Sequence, residues 1–324
     1  MDGGPAALAV PARLAAVLLP EVPGDVFTLA DAVRSGATRR QLEWAVRAGR
    51  LHRVQPAVFC PQPLWSAATP EQRTVLRAHA HALKHPGSVF SHGTAAALLG
   101  LPAGDDGLVR VTGAPGARTG RESGVVRYAA PLPDGDVMEV NGVLCTSPAR
   151  TVLDCLRHLD AMTAVPVGDV ALRGRTVTVE QLAARLEVLR WPRAAAADEL
   201  LSLLDGRRES PLESRSAVVF HRYGLPRPAV QVRILDAAGR FIGRPDMVWL
   251  EHGVAGEADG LVKYDGGAAV VSDERVRQAR LQAVGLVVVR WTEQQLHGTP
   301  PLVVQQLRPA LADGNGRRFR GRVA

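Results

Sequence analysis

The chain has 324 residues, 46% of them hydrophobic and 4% aromatic, with a formal net charge of +7 and a pI near 10.1. No stretch of the sequence is long and apolar enough to span a membrane, and the three cysteines do not have the spacing of metal ligands. The length predicts two or three domains, the sparse cysteines suit a reducing cytoplasm, and the basic balance favours a polyanionic partner such as nucleic acid.

The N-terminal part predicts short helices followed by a hairpin. The apolar run of residues 8–19 lacks a basic start, so it predicts a short helix and not a signal peptide. A helix over residues 27–36 and a second over residues 38–48 each begin at a threonine cap and end at a glycine. Residues 50–60 then predict a hairpin, the wing. This is the order of a winged helix-turn-helix, whose second helix enters the DNA major groove; the alternative is a small helical domain with a solvated basic face.

The candidate DNA contacts lie on the second helix and on the wing. Side chains at the start of the second helix reach base edges or phosphates, and those of the wing reach the backbone. The candidates are Arg39, Arg40, Gln41, Arg47, Arg50, His52 and Arg53.

The same stretch resembles a known family. Phe27-Thr-Leu-Ala-Asp-Ala, Gly36-Ala-Thr and Gly49-Arg-Leu-His-Arg-Val-Gln-Pro-Ala-Val-Phe are similar to the winged-helix domain of AbiEi-type antitoxins. The resemblance covers about residues 25–61. It implies operator binding, autoregulation, and a nucleotidyltransferase toxin as the partner in a type IV toxin–antitoxin pair.

The middle of the chain predicts an α+β block in which no catalytic constellation is evident. Residues 61–63, Pro-Gln-Pro, read as a linker, and a helix opens at Thr69 with a proline in its first position. Asn141-Gly142 predicts the turn of a β-hairpin. Residues 163–205 are alanine-rich and predict helices that bridge to the last domain. The block also resembles the middle of antitoxin-like regulators.

The last domain carries acids whose spacing predicts a metal site. Asp246 starts one strand, and Glu257 and Asp259 follow on the next strand, two residues apart and so on one face. Carboxylates packed at one end of a hairpin repel one another, and a divalent cation, most often Mg²⁺, relieves that repulsion. The alternative is a polar hairpin end with scattered acids. Glu213 occupies the third position of a capping box, so its simplest role is to cap a helix.

Lys263 stands four residues after Asp259, and it is one of two lysines among 39 basic residues. A lysine amine has a tunable pKa and a guanidinium does not, so an amine beside acids suggests a chemical role. The alternative is chance.

Residues 208–297 predict the order helix, three strands, helix, strand, with the first strand over residues 230–235. This order, with Pro245-Asp246, ten residues, and then Glu257-Ala-Asp259, resembles the PD-(D/E)XK nuclease superfamily, and more closely bacterial domains related to very-short-patch repair endonucleases. The resemblance implies Asp246 and Glu257 as ligands of Mg²⁺, or of Mn²⁺ as its substitute, with Glu213 as a candidate third ligand. Asp259 stands where the family has its lysine, so either Lys263 replaces that lysine or the site does not cleave efficiently.

Together these observations predict an α+β or α/β multidomain protein. We expect a winged helix-turn-helix at residues 1–62, a central α+β antitoxin-like domain with a helical bridge at residues 63–207, and a restriction-endonuclease-like αβββαβ domain with a flexible basic tail at residues 208–324. The leading function is cytoplasmic, antitoxin-like transcriptional regulation on double-stranded DNA. One alternative is a Mg²⁺-dependent endonuclease directed by the winged helix. Its candidate catalytic residues are Asp246, Glu257, Asp259 and Lys263. Another alternative is a nuclease fold that only holds a toxin.

Overall fold

The computed structural model of the chain describes residues 24–189, 194–259, 268–313 and 319–324. The chain divides into two compact units, Met1–Thr151 and Val152–Ala324. Both units combine helices with β-sheets, which confirms the predicted α+β class. The predicted domain boundaries near residues 62 and 207 stay predictions. The helix predicted over residues 8–19 lies outside the described residues.

The first unit begins with a small sheet and two capped helices. Its elements are β1 (Phe27–Thr28), α1 (Leu29–Arg34), α2 (Arg39–Arg47), β2 (Leu51–Gln55) and β3 (Val58–Pro61). The strands are antiparallel in the order β1-β3-β2. Thr28 and Thr38 close capping boxes at α1 and α2, which confirms both predicted caps. Phe27, Leu42 and Phe59 lie in the core that joins the helices to the sheet.

A larger sheet and its helices complete the first unit. Its elements are α3 (Gln62–Ala67), α4 (Pro70–Lys84), β4 (Val89–Phe90), α5 (His92–Leu98), β5 (Val109–Gly113), β6 (Gly120–Glu122), β7 (Val125–Ala129), β8 (Val137–Val140) and β9 (Val143–Thr146). The six strands have the order β6-β7-β5-β4-β9-β8. The predicted hairpin turn is confirmed, because Asn141 and Gly142 join β8 to β9 with φ of 51° and 78°. The linker predicted over residues 61–63 is wrong beyond Pro61, because α3 starts at Gln62 and its first turn tolerates a proline.

The second unit opens with helices, as residues 163–205 predict. They are α6 (Pro148–His158), in which the division between the units falls, α7 (Ala161–Arg173), α8 (Val179–Leu189) and α9 (Ala194–Leu203). Asp169 of α7 and Arg208 form a buried ion pair of 2.7 Å. Arg208 Nη1 also donates to the carbonyl of Leu203 at 3.0 Å. The pair therefore fastens the segment after α9 to α7.

The rest of the second unit is built on a four-stranded sheet. Its elements are α10 (Pro211–Arg222), β10 (Ala229–Val230), β11 (Ile234–Leu235), β12 (Phe241–Gly243), β13 (Met247–Trp249), β14 (Val254–Asp259), α11 (Ala268–Ala283), β15 (Val287–Thr292), α12 (Glu293–Gly298), α13 (Pro300–Asp313) and β16 (Arg322–Val323). The main sheet has the order β10-β13-β14-β15, with only the β14–β15 pair parallel. Phe220, Trp249 and Trp291 pack with α12 and α13 in one core, and Leu281 of α11 packs in another.

Two sequence predictions are wrong in this unit. The strand predicted over residues 230–235 is split, because Gln231 has a left-handed φ of 55° and the chain leaves the main sheet after Val230. The second part, β11, lies in a separate small sheet of order β12-β11-β16. The flexible basic tail is also wrong at Arg322, which pairs with Leu235 as part of β16. Residues 316–318 of that tail lie outside the described residues.

Candidate functional site

Three of the predicted acids lie near one another in the second unit and are named the acid cluster: Glu213, Asp246 and Glu257. Glu213 lies in the first turn of α10, Asp246 directly before β13, and Glu257 on β14. Met247 pairs with Gly256 across the antiparallel ladder, which places Asp246 beside Glu257. The Ala258 amide donates to Asp246 Oδ2 at 2.9 Å, so the backbone of β14 fixes this carboxylate.

Glu213 is 3% exposed and has its hydrogen bonds satisfied within the protein. Its Oε1 accepts from Ser210 Oγ at 2.9 Å, and its Oε2 accepts from the Glu209 amide and from Gln231 Nε2, both at 3.0 Å. Ser210 Oγ in turn accepts from the Glu213 amide at 3.2 Å. Ser210 therefore caps α10, and Glu213 supports that cap by accepting from Ser210 Oγ and the Glu209 amide. Gln231 links Glu213 to Asp246.

Asp246 holds its proton more tightly than an ordinary aspartate. Its pKa is raised to about 6, chiefly because burial penalises the charged form and also because Glu213 and Glu257 are negative. Hydrogen bonds from the Ala258 amide and the Gln231 side chain oppose this rise. The repulsion among carboxylates that the sequence predicts therefore contributes to the raised pKa of Asp246.

Glu257 is neutralised by two arginines. Its Oε1 lies 2.6 Å from Arg277 Nη2 of α11, and its Oε2 lies 2.8 Å from Arg290 Nη2 of β15. The carboxylate is 5% exposed, whereas the two arginine side chains are about one-third exposed. Each oxygen of Glu257, one of the two metal ligands that the resemblance implies, thus lies at ion-pair distance from a guanidinium group, although Oε1 itself makes no hydrogen bond to the described residues.

The remaining predicted site residues do not complete a metal site. Asp259 ends β14 opposite Thr292 and is partly exposed, and Lys263 lies outside the described residues. Among the residues that the structure describes, no three His, Cys, Asp or Glu side chains are close enough to share a metal ion. Because both oxygens of Glu257 are paired, the described residues do not fit a divalent cation in this arrangement.

Sequence reasoning missed Gln231, Arg277 and Arg290. The signal for Arg290 was present, because it interrupts the apolar run Leu286–Trp291 of a strand that reads as buried. Arg277 is one of several arginines in the stretch Arg275–Arg280, and their spacing does not show which of them faces the acids. Gln231 gave no signal, since a glutamine with a positive φ is uncommon.

A second candidate site in the first unit consists of Arg40, Trp44 and Arg47 on α2 with Arg50 just after it, and is named the basic face. Arg40, Trp44 and Arg47 recur at i, i+4 and i+7, so they share one side of the helix. All four side chains are exposed. Trp44 is 38% exposed, and the Arg50 guanidinium lies 4.7 Å from its ring centroid. No ion pair joins Arg40 or Arg47 to an acid among the described residues.

The other predicted DNA contacts differ in availability. Arg39 is exposed but pairs with Glu43 at 3.1 Å. Gln41 Oε1 accepts from the Thr38 amide at 2.7 Å and from Thr38 Oγ1 at 2.8 Å, so the acceptor closes the capping box of α2. Arg53 is exposed on β2, with its guanidinium 5.9 Å from the Phe59 ring centroid.

The wing is held against α4. The His52 ring stacks on Trp65 at 3.9 Å, and burial followed by Arg77 and Arg73 lowers the pKa of His52, which favours the neutral ring. Gln55 Nε2 donates to the carbonyl of Ala80. His52, predicted to contact the DNA backbone, therefore packs against Trp65 within the protein.

Comparisons with known proteins add relatives without assigned functions. No model of a known protein family matches the chain. It is similar to two Mycobacterium tuberculosis proteins, the uncharacterized protein Rv2248 of strain H37Rv and the uncharacterized protein MT2308 of strain CDC 1551 / Oshkosh. Each is 30% identical over 276 residues, which cover 84% of this chain and 92% of the relative.

Among solved structures, the chain is similar to the crystal structure of the RV2827C protein from Mycobacterium tuberculosis. That likeness has 18% sequence identity and a TM-score of 0.39, and it covers 60% of this chain and 76% of the other. It carries no argument about function. Within the described ranges, no helix is long and apolar enough to cross a membrane.

Proposed function

Because the chain belongs to the family of the mycobacterial proteins Rv2248 and MT2308, which are uncharacterized, we propose its function from its own geometry. It is a DNA-binding protein that contacts duplex DNA through the basic face of α2. In this proposal, β1 to β3 with α1 and α2 act as a winged helix-turn-helix, and α2 enters the major groove.

The observation that carries the proposal is the exposure of Arg40, Trp44 and Arg47 on one side of a capped helix. Arginine supplies planar donors that match phosphates and the O6 and N7 atoms of guanine. Trp44 adds an apolar surface between the two arginines, and Arg50 adds a further cation at its ring. The net charge of +7 supports the same partner, because it favours encounter with a polyanion.

The resemblance to AbiEi-type antitoxins supports the regulatory part of the proposal. The protein would bind its operator in the cytoplasm, regulate its own expression, and pair with a nucleotidyltransferase toxin. The order of elements from α10 to β15 supports a restriction-endonuclease-like fold for the C-terminal part. A fold of this kind does not by itself imply cleavage.

The test is DNA binding by the full chain with Arg40→Ala and Arg47→Ala combined. We expect affinity for a mixed-sequence duplex of about 30 base pairs, a length chosen to span roughly three turns, to fall by roughly ten- to a hundredfold. The slope of log K against log salt should become shallower by about 0.9 for each lost phosphate contact. Fluorescence anisotropy at stepped salt concentrations measures both quantities.

The matched control combines Arg118→Ala and Arg121→Ala. It removes the same charge from exposed positions in and just before the edge strand β6 of the same unit, where Arg118 pairs with Glu122 at 3.3 Å. An equal loss in both double variants would mean that only overall charge matters. Unchanged affinity and slope in a folded Arg40→Ala, Arg47→Ala protein would overturn the proposal.

The endonuclease alternative stays a prediction from the sequence. It requires Asp246, Glu257 and Asp259 to hold a common cation, with Lys263 beside the reacting phosphate. Incubation of plasmid and linear duplex with the full chain and Mg²⁺ or Mn²⁺ tests it. Cleavage that disappears in Asp246→Asn and Glu257→Gln would establish the alternative, and intact DNA throughout would count against it.

A further inference from the structure

We infer that Arg277 and Arg290 take the place of a divalent cation at Glu257 of the acid cluster, so that guanidinium groups neutralise this carboxylate and the cluster binds no Mg²⁺ or Mn²⁺. The inference does not depend on DNA binding by α2. It rests on the residues that touch Glu257, the ligand that the nuclease resemblance requires.

The position of Arg290 follows from the backbone. Glu257 and Arg290 are direct partners in the parallel ladder between β14 and β15, so their side chains emerge side by side. The 2.8 Å contact between Arg290 Nη2 and Glu257 Oε2 is therefore fixed by strand register. Arg277 reaches the other oxygen from α11, which packs beside β15, and completes the pair at 2.6 Å.

The charges explain why a cation is excluded. A carboxylate that is 5% exposed must be neutralised by a partner, and Glu257 has two. Guanidinium groups stay charged at every accessible pH, so the pairs do not open by deprotonation. A divalent cation at the Glu257 oxygens would meet two fixed positive charges, at 2.6 and 2.8 Å from the oxygens that the cation would need.

The neighbouring acids have other partners too. Glu213 accepts from the Ser210 hydroxyl, the Glu209 amide and Gln231. Asp246 accepts from the Ala258 amide. A cation would have to compete with hydrogen bonds that hold the start of α10 and the end of β14 in place.

The first experiment measures whether Glu257→Gln lowers or raises the Tm of the full chain. If arginines close the cluster, the loss of the carboxylate leaves two cations facing an amide, and the Tm of the full chain falls by about 5 °C or more. If the cluster is an empty metal site, the same substitution relieves repulsion among acids and the Tm rises. Asp246→Asn at pH 7.5 is the control for such relief and should raise the Tm.

The double variant Glu257→Gln, Arg290→Gln separates pairing from general damage. Its loss should be clearly smaller than the sum of the two single losses, because removing either partner already breaks the pair. Additive losses would overturn the assignment of Arg290.

The second experiment needs no variant. Isothermal titration of the wild-type chain with MgCl₂ and with MnCl₂ should show no saturable heat up to about 10 mM, a range well above ordinary magnesium-site requirements, and the Tm should match that at equal ionic strength in NaCl. Saturable binding of either ion that Glu257→Gln abolishes would overturn the inference. In Arg277→Gln, Arg290→Gln the same titration should reveal binding that the wild type lacks.

Discussion

The basic face and the acid cluster are both groups of like charges, but they differ in what they still have to bind. Arg40 and Arg47 are exposed and have no acidic partner among the described residues. Glu213 and Glu257 are at most 5% exposed; Glu213 accepts hydrogen bonds from groups of the same unit, and Glu257 forms ion pairs with two of its arginines. The side chains of the basic face are therefore available to a partner, whereas those of the acid cluster are already paired within the fold.

This difference teaches how a charge cluster should be judged as a site. A buried charge without a partner is costly, so a buried cluster in a stable fold is either neutralised within the protein or by a bound ion. In the acid cluster, Glu257 is neutralised by Arg277 and Arg290, whereas Glu213 and Asp246 accept hydrogen bonds from uncharged groups. An exposed charge costs little to leave unpaired, so the basic face can remain available for phosphates.

The largest loss of stability is expected from breaking the buried ion pair between Asp169 and Arg208 in the second unit. Arg208→Met leaves Asp169 buried without its counter-ion, and burial already raises the pKa of Asp169. We expect the free energy of unfolding to fall by about 3–5 kcal/mol. Urea denaturation of the full chain, followed by tryptophan fluorescence, measures the loss.

The matched control is Arg222→Met in the same unit. Arg222 pairs with Asp160 at 3.0 Å, but both side chains are about half exposed. This substitution should change the free energy of unfolding by less than about 0.5 kcal/mol. Similar losses for the two variants would mean that burial does not separate the two classes of charge in this protein.

Asp246 is expected to have the next largest effect on the free energy of unfolding, and this effect depends on pH. Its pKa is raised to about 6, so the folded state keeps a proton that the unfolded state has lost. Stability therefore falls as pH rises from about 4 to about 6, and the deficit is constant above that range. Asp246→Asn should remove the deficit, with a gain of about 1–2 kcal/mol at pH 7.5 after allowance for partial exposure.

Denaturation of wild type and Asp246→Asn at pH 4.5, 5.5 and 7.5, values chosen to bracket the expected titration, measures that gain. The difference between the two proteins should shrink as pH falls towards 4.5. A gain that is the same at all three pH values would mean that the pKa of Asp246 is not raised in the folded state.

The parts of this structure that local chemistry determines could be predicted from the sequence. The caps at Thr28 and Thr38 depend on side chains within three residues, and the turn at Asn141-Gly142 depends on two residues that accept a positive φ. The exposed arginines of α2 followed from the periodicity of one helix. Such features need no knowledge of distant contacts.

The contacts of the acid cluster could not be predicted in the same way. Asp246, Glu257 and Glu213 were expected to come together, but the partners of Glu257 stand 20 and 33 residues later, at Arg277 and Arg290. Their contact depends on the parallel pairing of β14 with β15 and on the packing of α11. A spacing of acids does not reveal which cations the fold brings to them.

The smallest effect concerns Gln41, which the sequence placed among the DNA contacts and the structure places in the capping box of α2. Gln41→Ala removes the acceptor of the Thr38 amide, so the free energy of unfolding should fall by about 0.5–1 kcal/mol. Because the basic face is untouched, affinity for duplex DNA should stay within about twofold, a change of about 0.4 kcal/mol.

Gln41→Glu sharpens that test, because a carboxylate keeps the acceptor at the cap and suits the positive end of the helix dipole. Its stability should equal or slightly exceed that of the wild type, whereas the added negative charge near bound phosphates should weaken DNA binding at low salt. Urea denaturation and anisotropy on the same two variants measure both effects. If a folded Gln41→Ala protein loses tenfold or more in affinity for duplex DNA, about 1.4 kcal/mol, Gln41 contacts the DNA as the sequence predicted. The distinction between groups that are paired within the fold and groups that stay available for a partner would then not hold for α2.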